Sequence, residues 1–448
     1  MRTRHSTIAY LFVAFLCVLV LLSLYRNPPQ FFPGDFPSWS SDFLSLYSCL
    51  QANQHSTCQD ISVFPLAYTL NSWLSAVLSS LLTGLSPPQV LLIINLILFG
   101  LVAYLILYPT TRISRRTYSC RALLLLTVIV LTPIIPFYLN TGFLELQSAA
   151  WIFLVFLFAP YSRCHRQRSW LNQFLFVFFF VIASMYKDTL AIMLFVSISL
   201  GRFFFELSAT HHSIRSNAFY LFIRAIFQPL LLIALISSVM ASFAFNYIRY
   251  ESILPIGYLL QSSMYQTSSQ FKLISFLASI LSPQGGLVAF WGLPLFALVI
   301  YCRHIRINQR LVSAFFLFLL NLFALPFWWA PFGWDSWGNR LIIPAFLSFF
   351  YIACSSLNYS SASAALVPVN LSKPPLLFLS CLSLVLALLY FLSSHLPWGR
   401  VQFLRHSLYH SPACRTFAVQ LSESKKYDQK IYETCAASRY WSMPLLRI

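Results

Sequence analysis

The sequence predicts an all-α, polytopic membrane protein with about eleven transmembrane helices. Hydrophobic residues make up 58% of the 448 residues and charged residues only 9%, whereas a soluble domain carries about 25% charged residues. Apolar stretches of about 20 residues recur along almost the whole chain. Basic residues lie in short clusters between these stretches, as positive-inside topology requires, so the net charge of +18 does not indicate nucleic-acid binding.

The N-terminal segment is predicted to be an uncleaved signal anchor. Arg2 and Arg4 precede an apolar stretch that has no small-residue cleavage site, and basic residues in this position keep an N-terminus in the cytoplasm. Span one therefore covers about residues 7–24, and residues 26–87 form the first external loop.

Within that loop, residues 64–85 allow two interpretations. The segment is long enough to span, but serine, threonine and asparagine side chains interrupt it. If it spanned, the arginines of residues 112–121 and 163–168 would lie outside the cell. If it lies in the interface as an amphipathic helix, both clusters lie inside. We therefore predict amphipathic surface helices in this loop rather than a second span.

The remaining spans follow from this choice. They are predicted at about residues 90–108, 122–138, 143–160, 170–186, 189–205, 223–245, 287–301, 311–327, 341–356 and 375–391. The N-terminus is then cytoplasmic and the C-terminus non-cytoplasmic. Residues 1–392 form the predicted transmembrane domain, and residues 393–448 form a short external tail.

Acidic residues are scarce and one-sided in this layout. Of the 11 Asp and Glu residues, only Glu206 falls on the cytoplasmic side. The other ten lie on or near the non-cytoplasmic face: Asp35, Asp42, Asp60, Glu145, Asp188, Glu251, Asp335, Glu423, Asp428 and Glu433. Because Asp and Glu contribute little to topology itself, this distribution indicates chemistry or polar recognition on that face.

Four cysteines lie outside the bilayer on the same face. Cys49 and Cys58 belong to the first loop, and Cys414 and Cys435 belong to the tail. Even numbers of cysteines in an oxidising compartment indicate disulfides, so we predict one bridge within each pair. Four free thiols are the alternative.

Ionisable side chains mark the ends of several spans on the non-cytoplasmic face. Asp35, in "PGDFPSWSSDF", follows span one, where a carboxylate could deprotonate an acceptor hydroxyl. Lys187 could bind a phosphate as a point charge and Arg340 as a fork. The predicted supporting carboxylates are Asp42, Glu145, Asp188 and Asp335. A cap or a turn is the structural alternative for several of these residues.

Tryptophans accompany these charges. Trp39 lies close to Asp35, and Trp334 and Trp337 lie in "FWWAPFGWDSWGNRLIIP". Their flat faces could pack against sugar rings or a lipid chain, although an interfacial aromatic belt is the alternative. A proton acceptor, a phosphate-binding group and an apolar groove together suit a sugar linked through phosphate to a membrane-embedded polyprenol.

The order of these motifs resembles the GT-C membrane glycosyltransferases of bacterial type, which use polyprenyl-phosphate sugars. "PGDFPSW", with residues 64–85 after it, is similar to the family's Asp-bearing first loop and its interfacial helices. "TGFLELQSAAW", "ASMYKDTLAIM", "SPQGGLVAFWGLPLF" and "GWDSWGNRLIIPAFLSFF" are similar to later motifs, in the family's order. The resemblance covers about residues 4–356. The chain departs from the pattern at Gln284–Gly285, which replace a motif Arg, and at Leu341, which replaces a motif Tyr.

The resemblance implies a GT-C-like fold and a function. A hexose or pentose would pass from a polyprenyl-phosphate donor to a lipid, glycan or protein acceptor on the non-cytoplasmic side of the inner or plasma membrane, as part of cell-envelope chemistry. Asp35 would act as the general base, with inversion at the sugar carbon, and Arg340 and Lys187 would hold the donor phosphate. No cofactor is certain. Some relatives use a divalent metal, and Asp35 with Glu145 or Asp188 could hold Mg²⁺ or Mn²⁺.

Two other functions stay open at this point. A transporter or lipid flippase would need ionisable groups and broken helices near the middle of the bilayer, whereas the predicted charges lie at span ends on one face. A non-catalytic, GT-C-like assembly protein would carry the same pattern as the enzyme.

Overall fold

The computed structural model describes residues 66–81, 85, 87–107, 117–118, 120–122, 124–125, 128, 144–161, 169–187, 189–209, 218–250, 252–253, 267–282, 286–327, 340–357 and 429–441. Twelve α-helices and three short 3₁₀ helices have both ends within these residues, and the described residues between 117 and 128 are helical as well. The only β-type pairing among the described residues is one isolated bridge between Ile305 and Leu357. The α-helices are α1 (Leu66–Leu81), α2 (Pro87–Leu107), α3 (Glu145–Phe158), α4 (Trp170–Ser184), α5 (Leu190–Ala209), α6 (Ala218–Ile226), α7 (Pro229–Tyr250), α8 (Ser269–Leu281), α9 (Leu287–Tyr301), α10 (Gln309–Ala324), α11 (Ile343–Ser356) and α12 (Gln429–Trp441).

Four helices of the described residues are long and apolar enough to cross a membrane. They contain the segments Gln89–Leu107, Leu190–Ser208, Pro229–Ile248 and Gln309–Phe327. Helices α3, α4, α8 and α11 are apolar but shorter. Among the described residues, an all-α architecture with helices long and apolar enough to span a membrane is therefore confirmed. The total of about eleven spans stays a prediction, because the predicted first and last spans lie outside the described residues.

Helix α2 illustrates why these helices suit a lipid environment. Its outer side carries Ile97 and Tyr104, whose side chains are 65% and 51% exposed. Its inner side carries Phe99 and Val102, which are buried. A helix that is apolar on both sides belongs either in the core of a large protein or in a membrane, and its exposed apolar side then contacts lipid tails.

Helix α11 lies at the centre of the bundle. Twelve of its fourteen residues are buried, and it packs against α3, α10, α2 and the start of α9. The ring of Phe346 lies 4.7 Å from that of Trp291 in α9 and 5.7 Å from that of Phe318 in α10. This close packing on nearly all sides stabilises α11, although the helix has only 14 residues.

Paired contacts fix the relative directions of three helices. Helix α10 is antiparallel to α11, because Asn308 donates a hydrogen bond to Ser356 over 3.0 Å at one end and Phe318 contacts Phe346 towards the other. Helix α3 is parallel to α11, because both helices run in the same direction as α2. Tyr351 of α11 contacts Phe99 of α2 and Phe153 of α3. Before these rings Gln147 of α3 bonds to Asn95 of α2, and after them Arg121 joins the end of α11 to the end of α2. Helices α3 and α11 therefore begin at the same end of the bundle.

One end of the bundle is organised by Arg121, and we name it the Arg121 end. The guanidinium donates to the carbonyl oxygens of Ile106 over 2.9 Å, Leu357 over 2.8 Å and Ser355 over 2.5 Å. The N–H of Arg306 donates to the Ser356 carbonyl over 2.9 Å. The end of α2, the end of α11 and the α9–α10 connection thus share one end, as the predicted layout requires of its cytoplasmic segments.

Two predicted spans differ in the structure. The span at 223–245 was wrong as one continuous segment, because α6 ends at Ile226 and α7 begins at Pro229, whose ring suits the first position of a helix. Gln228, between them, donates to the Pro160 carbonyl over 3.0 Å. Helix α5 continues past the predicted end at residue 205, so Glu206 lies inside it and pairs with Arg202 at 3.2 Å.

Candidate functional site

The opposite end of the bundle is organised by Tyr186, and we name it the Tyr186 end. The chain reaches it at the end of α4, where the Tyr186 hydroxyl donates to Gln147 Oε1 over 2.8 Å. The same hydroxyl oxygen accepts from Trp151 Nε1 over 3.0 Å and from Asn71 Nδ2 over 3.4 Å. Gln147 Nε2 then donates to Asn95 Oδ1 over 2.8 Å. This Tyr186 network joins α1, α2, α3 and α4 through polar side chains.

Helix α1 lies entirely in the half of the bundle that contains the Tyr186 end. The N–H of Ala67 donates to the Met185 carbonyl over 3.3 Å, which fixes the start of α1 beside the end of α4. The end of α1 turns directly into α2, and Ser79 donates to the Leu85 carbonyl across that turn over 2.5 Å. Both ends of α1 therefore lie far from Arg121, which supports the interpretation of this segment as a surface helix rather than a span.

The Tyr186 network has an apolar floor. One turn after Asn95 in α2, Phe99 packs edge-on against Tyr351 of α11 at 6.2 Å, and Phe153 of α3 packs against the same ring at 5.9 Å. All three side chains are at least 95% buried. We name Phe99, Phe153 and Tyr351 the aromatic floor. Polar side chains on its Tyr186 side and the Arg121 end are thus separated by dry packing between α2, α3 and α11.

Three of the predicted site residues belong to chain segments that meet at the Tyr186 end. Glu145 begins α3 and is 1% exposed, and it lies two residues before Gln147. Lys187 directly follows Tyr186 and is half-buried. The 3₁₀ helix that starts at Arg340 leads into α11, whose first residues lie level with those of α3. A carboxylate at the first turn of α3 also complements the helix dipole, so the capping interpretation of Glu145 is compatible with the same geometry.

The remaining predicted site residues lie outside the described residues. These are Asp35, Trp39, Asp42, Cys49, Cys58, Asp188, Trp334, Asp335, Trp337 and Cys414. Cys435 is described: it is 2% exposed and disulfide-bonded. The other described cysteines, Cys120, Cys302 and Cys354, are free thiols. The pairing of Cys435 with Cys414, and of Cys49 with Cys58, stays a prediction.

Helix α12, from the C-terminal tail, docks on α8 near the Tyr186 end. The Glu433 carboxylate accepts from the N–H of Ser268 over 2.6 Å and from its hydroxyl over 2.8 Å, so it caps α8 from a distant part of the chain. Lys272, in the first turn of α8, lies 5.5 Å from the ring of Phe327 beyond the end of α10. The tail and the end of α10 therefore share one side of the bundle.

The ionisation of Glu433 reflects this contact. Partial burial raises the pKa of its carboxyl, but hydrogen bonds from Gln429 and from the N–H and hydroxyl of Ser268 favour the charged form. The hydrogen bonds together lower the pKa by more than burial raises it, so the pKa of Glu433 lies below its usual value.

A metal site is not formed by the described residues alone. No group of three or more His, Cys, Asp and Glu side chains comes together among them. Glu145 is the one member of the predicted Mg²⁺ or Mn²⁺ set that the structure describes, and Asp35 and Asp188 lie outside it. The divalent metal therefore stays a prediction.

Most of the Tyr186 network was not predicted from the sequence. Asn95 stands alone in the apolar run "LLIINLILF", and Gln147 and Tyr186 were present in the quoted motifs without a role. Their signal was the presence of amide and phenol groups inside apolar helices, since such groups are stable there only with hydrogen-bond partners.

The chain matches no family model, no curated protein and no solved structure. Its function must therefore be inferred from the residues at the Tyr186 end and from the motif order along the chain.

Proposed function

We propose that this protein is an integral membrane glycosyltransferase that transfers a sugar from a polyprenyl-phosphate donor on the non-cytoplasmic face. The observation that carries the proposal is the meeting, at the Tyr186 end, of the starts of α3 and α11 with the end of α4. Glu145, Lys187 and Arg340 occupy those three positions. Glu145 is buried and Lys187 is half-buried, and ionisable groups at membrane depth are costly and generally functional.

The proposed reaction is a single displacement at the sugar's anomeric carbon. The acceptor hydroxyl oxygen forms the new glycosidic bond while the bond from that carbon to the phosphate oxygen breaks. Polyprenyl phosphate leaves with the bonding electron pair, and Asp35 takes the acceptor's proton as general base. The configuration at the anomeric carbon is inverted. This assignment of Asp35 rests on its place after span one and on the family resemblance.

The donor phosphate is proposed to lie near Lys187 and Arg340. Lys187 follows the last turn of α4, and Arg340 precedes α11, so both are at helix ends rather than in the middle of the bilayer. A lysine offers a compact charge and an arginine a planar fork that matches two phosphate oxygens. Glu145, level with the start of α11, is proposed to hold one of these cations or an acceptor hydroxyl.

The aromatic floor supports an enzyme over a transporter. A transport route would need a wet or openable path from one face to the other. Between α2, α3 and α11 such a path is closed by Phe99, Phe153 and Tyr351, which are almost fully buried. The polar side chains of the Tyr186 network, closed off by the aromatic floor, suit an enzyme that acts at one face of the membrane better than a transporter.

The direct test is transfer of labelled sugar from polyprenyl phosphate in proteoliposomes. Asp35→Asn is nearly isosteric but cannot accept the proton, so turnover should fall by about 10²–10⁴-fold. Asp42→Asn is the matched control in the same loop and should lose much less. Thermal stability measured in parallel shows whether the Asp35→Asn protein is folded. If it is folded and fully active, Asp35 is not the general base.

The phosphate assignment has its own test in the same assay. Arg340→Lys keeps the charge but loses the fork, so donor use should weaken partly, whereas Arg340→Ala should weaken it severely. Wild-type turnover by a folded Arg340→Ala variant would place the phosphate elsewhere, with Lys187→Ala as the next variant to measure.

A further inference from the structure

We infer that Asn95 is a ligand-binding residue whose side-chain amide donates to an oxygen of the bound sugar or phosphate. The inference rests on the proposed function for the class of ligand, and on the hydrogen-bond directions of the Tyr186 network for the identity of the residue. Asn95 lies in α2, about 12 Å along the helix from its first residue, directly above the aromatic floor.

The directions begin with two donors that cannot be reversed. The indole of Trp151 can only donate, and it does so to the Tyr186 oxygen over 3.0 Å. The side chain of Asn71 has its nitrogen 2.7 Å from the Ala67 carbonyl oxygen, which can only accept, so that nitrogen is the NH₂ group. The same nitrogen donates to the Tyr186 oxygen over 3.4 Å.

The hydroxyl of Tyr186 then has a single role left. Its oxygen has accepted two hydrogen bonds, so its own hydrogen must go to the third neighbour, Gln147, at 2.8 Å. Gln147 therefore presents its oxygen to Tyr186 and its NH₂ to Asn95. If Gln147 were turned over, three N–H donors would crowd one phenol oxygen and the phenol hydrogen would have no acceptor.

We name the series of hydrogen bonds from Trp151 and Asn71 through Tyr186 and Gln147 to Asn95 the relay. It ends in a donor that has no acceptor among the described residues. Asn95 receives the Gln147 NH₂ on its oxygen over 2.8 Å, which leaves its own NH₂ facing away from the network. Asn95 is 2% exposed, and its Nδ2 has no hydrogen-bond acceptor among the described residues. A buried donor without an acceptor is destabilising, and native chains keep such groups where a ligand or an ordered water completes them.

The surroundings indicate what completes it. The hydroxyl of Ser148, next to Gln147 in α3, is likewise buried without a partner among the described residues. Glu145 lies one turn before it and Lys187 follows Tyr186. Two buried donors, in α2 and in the first turn of α3, suit a ligand rich in oxygen acceptors. Sugars and phosphates share that chemistry, whereas a hydrocarbon chain has none.

The experiment measures binding rather than turnover. Purified protein in lipid nanodiscs is titrated with sugar-free polyprenyl phosphate and, separately, with polyprenyl-phosphate sugar. Asn95→Asp keeps the acceptor for Gln147 and removes the NH₂, and Asn95→Leu removes the donor at similar volume without a charge. We expect at least about tenfold weaker binding in both variants, which corresponds to about 1.4 kcal/mol.

The control is a buried asparagine with a satisfied amide. Asn246 in α7 is 4% exposed and its NH₂ donates to the Ile253 carbonyl over 3.4 Å. Asn246→Asp should therefore leave both affinities unchanged, even if it lowers thermal stability. Equal losses in Asn246→Asp and Asn95→Asp would overturn the inference, because they would show a general effect of a buried charge.

Tyr186→Phe tests the relay itself. Without the hydroxyl, Gln147 is free to turn over and Asn95 can follow, so Tyr186→Phe should also weaken binding although it does not touch the ligand. In an Asn95→Leu background the same change should weaken binding no further, while its cost to thermal stability persists. Additive losses of affinity would overturn the relay.

The two probes separate the possible sources of the oxygen. Weaker binding of both probes by the Asn95 variants assigns the contact to phosphate, and weaker binding of the sugar-bearing probe alone assigns it to the sugar. Unchanged binding of both overturns the inference and leaves the proposed function standing. If the wild type binds neither probe and transfers no sugar, the proposed function fails and the ligand class fails with it.

Discussion

Arg121 joins the ends of two helices through three backbone carbonyl groups. It is 7% exposed, and its guanidinium reaches backbone carbonyls at the end of α2 and on both sides of the end of α11. Carbonyl groups in the last turn of a helix lack partners within that helix and carry partial negative charge. A buried arginine with several donors satisfies them from outside the helix, so Arg121 closes one end of the bundle.

Replacement of Arg121 should weaken that end measurably. Arg121→Lys keeps the charge but supplies a single ammonium where the fork reached three carbonyls, and we expect a loss of about 2–3 kcal/mol. Thermal unfolding in detergent measures the change. Arg224→Lys, on the exposed side of α6, is the control. An equal melting temperature for Arg121→Lys and the wild type would mean that water replaces the lost contacts.

Residue identity singled out some of these positions and not others. Arg121 was assigned to the cytoplasmic cluster from charge alone, and Glu145 and Lys187 were singled out because ionisable groups are rare in this chain. Asn95 was not singled out, because its partner Gln147 is 52 positions away. A polar residue in an apolar run indicates that a partner exists, but only the packing of α2 on α3 identifies which one.

Close backbone contact joins α5 and α10, the most extensively packed helix pair in the described residues. The contact is possible because Gly201 has no side chain. A Cβ atom at that position would lie 2.6 Å from the backbone nitrogen of Ser313 and 2.7 Å from its Cα. Glycine at a helix crossing lets two backbones approach in this way in membrane bundles.

Gly201→Ala should therefore destabilise the bundle by about 1–3 kcal/mol or more, because backbone atoms cannot move aside as a flexible side chain can. Gly100→Ala in α2 is the matched control, since a Cβ there meets no heavy atom within 4 Å. Both variants are compared by thermal unfolding in the same detergent. Equal behaviour of the two would show that α5 and α10 separate without cost.

The contact between α12 and α8 should depend on pH through Glu433. Its folded-state pKa is below the usual 4.5, so the contact stabilises the folded form above that value and is lost as the pH falls through the lower, folded-state pKa. Hydrogen exchange of the α12 amides should rise in that acid range. Glu433→Gln should remove the pH dependence; a transition that persists in this variant would belong to another group.

Pattern and length decided which elements were predictable. Helix α1 and the starts of α2, α3 and α4 follow the predicted layout because long apolar runs with polar ends define them. The break between α6 and α7 was readable from Gln228–Pro229, where Pro at a first helical position marks a start. Helix α8 was missed as an element, since its 13 residues are too short for a span.

The whole molecule has two chemically different ends, and this makes its orientation testable. Cys302 is an exposed free thiol near the Arg121 end, so a membrane-impermeant maleimide should label it only from the cytoplasm, with Cys302→Ser as the control. Lys430→Cys, on the exposed side of α12, should be labelled only from outside. Labelling of both from one side would contradict the assignment of the two ends to opposite faces.

The aromatic floor also has a consequence for the cell that contains the protein. A living membrane stores energy as a voltage and a proton gradient, and moving one charge across 100 mV is worth about 2.3 kcal/mol. A continuous chain of water through a membrane protein would drain that store. Phe99, Phe153 and Tyr351 exclude water between α2, α3 and α11. This part of the bundle therefore keeps its electrical resistance although polar side chains lie between its helices at the Tyr186 end.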